Sequence, residues 1–87
     1  MTEEVVSVTI QGEVLILNAE YEQVDAVAIR GRLHFIEGGR VESLLHSEGD
    51  KHLWLHDDRE CYLMTVDSAG DTFVARRIDA PGVRPPR

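Results

Sequence analysis

The sequence predicts a mainly β protein, a small antiparallel meander that forms a barrel or a sandwich. Three observations point there. Turn signals begin at Glu37, Ser47, Asp57 and Asp67, each 10 residues after the last, which is the spacing of a meander of short strands. Val6, Val8 and Ile10 alternate with Ser7, Thr9 and Gln11, as a half-buried strand requires. Valine leads the apolar residues with 10 copies, and β-branched side chains suit a pleated sheet better than a helix.

The elements follow in order. Residues 6–10 form the first strand. Gly12 breaks it, and the apolar run 14–17 returns as a second, more buried strand of a hairpin. Residues 19–30 carry two readings. Asn18 is a good helix N-cap, Glu20 and Glu22 occupy a first turn where the helix dipole favours acids, and Gly31 stands at a C-cap position. That reading adds one short helix at 19–30 and makes the fold α+β. In the other reading, residues 24–36 are one long strand bent at Gly31. Beyond it, segments 32–36, 41–46, 52–56, 61–66 and 72–78 read as strands between the turns. The total is six or seven strands.

With 87 residues there is room for one domain. Leu, Ile, Val and Phe make up 25 of them, well above the roughly one-fifth below which chains tend to stay disordered. The domain is expected to span 1–78. Residues 79–87 hold all three prolines and read as a solvated Pro/Arg tail.

The opening Met1-Thr2-Glu3-Glu4 is acidic where a signal peptide is basic. No apolar run approaches the ~18 residues of a membrane helix. Cys61 is the single cysteine and cannot close an intrachain disulfide. These features predict a cytoplasmic protein without membrane association.

The formal charge is −7. Residues 1–75 carry 15 acids against 5 bases. Such a body repels nucleic acid and anionic lipid and attracts basic surfaces. The plain alternative is that this charge serves solubility.

The histidines form the densest chemical group: His34, His46, His52 and His56 fall within 23 residues. If Asp58-Arg59 are the centre of a two-residue turn, His56 pairs with Cys61, Trp54 with Leu63 and His52 with Thr65. That register places His52, Trp54, His56 and Cys61 on one sheet face. Imidazole and thiolate are zinc ligands, but no C-x-x-C or H-E-x-x-H pattern supports a site, and His52 lies two pairs from His56. No catalytic or nucleotide-binding motif is present, and no cofactor is expected.

The expected function is a non-enzymatic protein-binding module whose partner has a basic surface. One version is an inhibitor that occupies the nucleic-acid groove of a larger protein, as phage-encoded antagonists do. The expected partner-binding residues are Glu20, Glu22, Asp25, Asp57, Asp58 and Glu60, with Trp54 as the anchor where its strand face is solvated; in the competing reading that face is core and Trp54 is buried. Two alternatives stand beside it. One is a self-assembling connector built through strand edges. The other is a metal-binding protein using His52, His56 and Cys61.

Overall fold

The computed structural model describes residues 1–36, 38–67 and 71–78. It shows a closed barrel of six antiparallel strands in the order β1-β2-β3-β6-β5-β4. The strands are β1 (Thr2–Ile10), β2 (Glu13–Gln23), β3 (Ala28–His34), β4 (Lys51–Leu55), β5 (Glu60–Val66) and β6 (Thr72–Ile78), with helix α1 (Arg40–Leu45) between β3 and β4. The expected β class holds, and the choice between barrel and sandwich falls to the barrel. Two three-stranded meanders meet at two antiparallel seams, β3 with β6 and β1 with β4.

Alternation builds the interior. Val6, Val8 and Ile10 of β1 face Leu17, Ala19 and Tyr21 of β2 around a core completed by β3 to β6. Fully burying one such aliphatic side chain is worth about 1.5–3 kcal/mol. The first hairpin turns at Gln11 and Gly12, with φ of 51° and 78°. Positive φ at both central residues is the twist-matched hairpin geometry, and Gly12 adopts it without a Cβ clash.

Segment 19–30 is not a helix. It comprises the second half of β2, a turn, and the start of β3. Ala19 and Tyr21 are buried while Asn18 and Glu22 are exposed, so the period is two. Gly31 lies within β3 opposite Tyr21 and does not cap a helix. A Cβ there would overlap the Glu20 carbonyl oxygen and sit 2.7 Å from Tyr21 Cα.

Segment 41–46, expected as a strand, is covered by α1 instead. Val41, Leu44 and Leu45 are spaced i, i+3, i+4, and all three pack on the core, with Leu45 at 1% exposure. A six-residue helix has little stability of its own. Packing holds it, helped by the Gly38 N–H donating to Glu42 Oε2 at 2.6 Å.

The β4–β5 hairpin also differs from expectation. Trp54 pairs with Cys61 and His52 with Leu63, a shift of two residues. The connection is longer than a two-residue turn. His56, Asp57 and Asp58 all lie in the left-handed region, with φ of 54°, 61° and 65°. The Arg59 N–H donates to the Leu55 carbonyl at 3.0 Å, closing a single left-handed turn. Such backbone is costly for most L-residues, and Asp is among the types that tolerate it.

The two ends of the barrel therefore differ. The β1–β2 turn and the α1 segment mark one, here the helix end. The other, the hairpin end, carries the N-terminus and the β2–β3 and β4–β5 loops. The tail expected at 79–87 lies outside the described residues, as does part of the turn expected at 67–71.

Candidate functional site

The hairpin end is sealed by polar chemistry. Tyr21 and Tyr62 project inward and are buried. The Tyr62 hydroxyl donates to Glu60 Oε1 at 2.9 Å, and the Tyr21 hydroxyl donates to Glu4. His56 stands between the carboxylates, with Nδ1 3.5 Å from Glu4 and Nε2 3.6 Å from Glu60. Arg77 Nη1 lies 3.6 Å from the other oxygen of Glu60. Glu60, expected on a docking face, is thus part of this closure.

Burial pushes the Tyr62 phenol up to about 12, and its bond to Glu60 adds to that shift. Burial raises Tyr21 in the same direction, followed by Glu4. Because the folded values exceed the ordinary 10.0, the neutral phenols contribute stability that is fully present below pH 10 and is lost as pH rises through about 12. Titration followed by tyrosinate absorbance should show both tyrosines protonated at pH 10 in the folded protein and freely ionising in denaturant. Ordinary tyrosine titration in the folded state would contradict this closure.

The acids expected on β2 are already paired. The His34 Nε2 to Glu20 Oε1 distance is 2.7 Å, and Arg30 Nε donates to Glu22 Oε1 at 2.8 Å. These pairs form because β3 lies beside β2 in register, Arg30 opposite Glu22. Asp25 shapes the β2–β3 turn, its Oδ1 accepting the Val27 N–H at 2.8 Å. Asp57 and Asp58 occupy the left-handed turn at the same end of the barrel. The expected acids are therefore distributed: Asp25, Asp57 and Asp58 share the hairpin end, while Glu20 and Glu22 lie on the barrel side.

Trp54 is not an exposed anchor. It is 1% exposed, and its Nε1–H donates to Thr9 Oγ1 at 3.2 Å across the β1–β4 seam. Cys61 beside it is buried, and that burial pushes its thiol up to about 11. The residues suggested for a metal do not converge. His52 pairs with Leu63, His56 leaves the strand, and Cys61 lies beneath the surface opposite Trp54. Among the described residues, no three His, Cys, Asp or Glu side chains are grouped to hold an ion.

Among the described residues, grooves on the outside of the barrel include two of note. One, of about 670 Å³, crosses β2, β3, β6 and β5 and is lined by Glu22, Arg30, Arg32, Thr65, Thr72 and Val74, among others. Arg30 and Glu22 bridge each other within it, and Arg32 Nε lies 3.4 Å from Asp71. The other, of about 560 Å³, lies between the outer face of β1 and β2 and the segment leading into α1. Val5, Ile16, Asn18, Phe35, Ile36 and Val41 are among its lining residues. Val5, Ile16 and Ile36 are 61%, 64% and 85% exposed.

Sequence reasoning missed this second groove. Ile16 sits in the run 14–17, which reads as a buried strand. The missed signal is parity: Val5 shares the outward face of β1 with Glu3, Ser7 and Thr9.

No family model matches the chain, and no curated protein or solved structure matches it either. Among the described residues, no helix is long and apolar enough to cross a membrane.

Proposed function

We propose that this chain is a small acidic protein-binding module that docks on a basic surface of a larger protein. The observation that carries the reading is the exposed apolar cluster of Val5, Ile16 and Ile36 around one groove, on a chain of formal charge −7. Clustered exposed apolar side chains are a mark of interaction sites. A strong negative charge steers encounter with cationic partners and disfavours anionic ones. An inhibitor that covers the nucleic-acid groove of a larger protein is one version of this activity.

Self-assembly through strand edges has less support. The barrel closes at the β1–β4 seam, where Ser7–Ile10 of β1 are paired, and closure leaves less strand edge exposed than an open sheet would.

The test is affinity capture from lysate at low salt followed by a salt gradient. A single stoichiometric partner with a basic face, released as salt rises, is the expected result. A partner retained at high salt, or one with an acidic face, would sink the reading. A native mass well above 9.8 kDa for the purified chain would favour self-association instead.

A further inference from the structure

Val8, Leu53 and Tyr62 stand side by side on β1, β4 and β5, and all three face the interior. Side chains alternate between the two faces along a strand. The neighbouring row, Ser7, Trp54, Cys61 and Ile78 across β1, β4, β5 and β6, therefore faces outward. The indole agrees, since its N–H donates to Thr9, the next outward residue of β1.

Trp54 and Cys61 are nevertheless 1% and 2% exposed, and neither belongs to the interior cluster. Other outward apolar residues, Val5, Ile16, Leu63 and Val74, are 61%, 64%, 42% and 56% exposed. Neighbours within a sheet pack beside an outward indole but do not roof it. A second layer must lie over Trp54 and Cys61.

Helix α1 is not that layer, because its Val41, Leu44 and Leu45 pack on the interior cluster. Residues 37 and 68–70 belong to connections at the helix end, away from Trp54. Residues 79–87 follow directly on Ile78, the last member of the row. Two strand spacings, about 10 Å, separate Ile78 from Trp54, and extended chain covers that distance at about 3 Å per residue. The first apolar residues beyond Ile78 are Ala80, Pro81 and Val83. Proline-containing extended segments suit aromatic faces because they lose little conformational freedom on docking. Arg84 and Arg87 also meet a body in which residues 1–75 carry 15 acids against 5 bases.

We infer that the outward row of Ser7, Trp54, Cys61 and Ile78 is the docking face for residues 79–87 of the same chain, with Pro81 and Val83 over the Trp54 indole and the Cys61 thiol. Trp54 then ties the barrel to its own C-terminal segment, and that segment closes the face to other partners while it is in place.

The chain has one tryptophan and one cysteine, so both reporters of this face are unambiguous. In the isotope-labelled full chain, the Trp54 indole protons should show nuclear Overhauser effects to Pro81 or Val83. Effects that reach only residues 1–78 overturn the inference. Effects to 79–87 that arise only between labelled and unlabelled copies assign the face to a second copy and overturn it too. In the full-length double variant Pro81→Asp, Val83→Asp, Cys61 should react with an aromatic disulfide at least about tenfold faster than in wild type, because access and thiolate fraction both rise as burial is relieved. Tryptophan emission should move to the red, while Tyr21 and Tyr62 keep their raised titration and so exclude general unfolding. An unchanged thiol rate or an unchanged emission overturns the inference. If the tyrosines of the variant titrate normally, the barrel itself has opened and the wild-type Overhauser effects decide the matter.

Discussion

Gly31→Ala should unfold the barrel or leave it barely stable, losing at least about 3 kcal/mol. An added methyl would overlap the Glu20 carbonyl oxygen and lie 2.7 Å from Tyr21 Cα. Both are backbone atoms of β2, so no side-chain rotation relieves the collision. Relief requires moving β3 away from β2, which breaks pairs such as Glu20–Arg32 and Glu22–Arg30. Ordinarily the same replacement in a strand helps by roughly 0.5–1 kcal/mol, because Ala has less freedom to lose on folding. The expected sign is therefore reversed here. Urea denaturation of both proteins is the check, against the typical domain stability of about 5–15 kcal/mol. A Gly31→Ala protein as stable as wild type would mean that the close approach of β3 to β2 is wrong.

Trp54→Ala should cost about 3–5 kcal/mol, the range for truncating a buried aromatic. Trp54 is 1% exposed and spans the seam that closes the barrel, paired with Ser7 on one side and Cys61 on the other. Removing it leaves a cavity and frees the Thr9 hydroxyl of its donor. For a domain of this size, each kcal/mol moves the melting temperature by roughly 4–8 °C, so a large drop is expected. Trp54→Phe should recover part of the loss, since it restores a six-membered ring but omits the rest of the indole and its hydrogen bond. An exposed partner anchor would behave differently: Trp54→Ala would then leave the melting curve unchanged and weaken only docking. Thermal denaturation of the two variants separates these roles directly.

Much of the fold was legible locally. The ten-residue turn spacing and the alternation in β1 expressed a meander, because strand period and turn chemistry are properties of short segments. Gly12 marked the first hairpin for the same reason. Residues 41–45 were harder. Val41, Leu44 and Leu45 fit helical spacing, but the segment is too short for propensity to declare itself, and only packing on the core makes it a helix. The signals at 19–30 were misleading because Asn18, the acids and Gly31 satisfy helix-end rules that a strand ladder overrides. The β4–β5 register moved by two because residues 56–58 adopted a left-handed turn, a conformation that few non-glycine sequences announce.

The candidate site was less legible. Acidity and the residue types were visible, but not which acids were already paired. Glu22 meets Arg30 because β3 lies beside β2, and Glu60 meets Arg77 because β6 lies beside β5. Trp54 meets Thr9 across 45 residues of chain.

By itself, the amino-acid sequence determined the β class, most of the turns and the net negative charge, since periodicity, turn chemistry and composition are carried by neighbouring residues or by sums over them. The tertiary structure alone decided that the sheet closes, that Trp54 is buried, and that Val5, Ile16 and Ile36 surround one groove. Burial and charge pairing depend on which strands become neighbours, and the β1–β4 and β3–β6 seams that settle this join segments far apart in the chain.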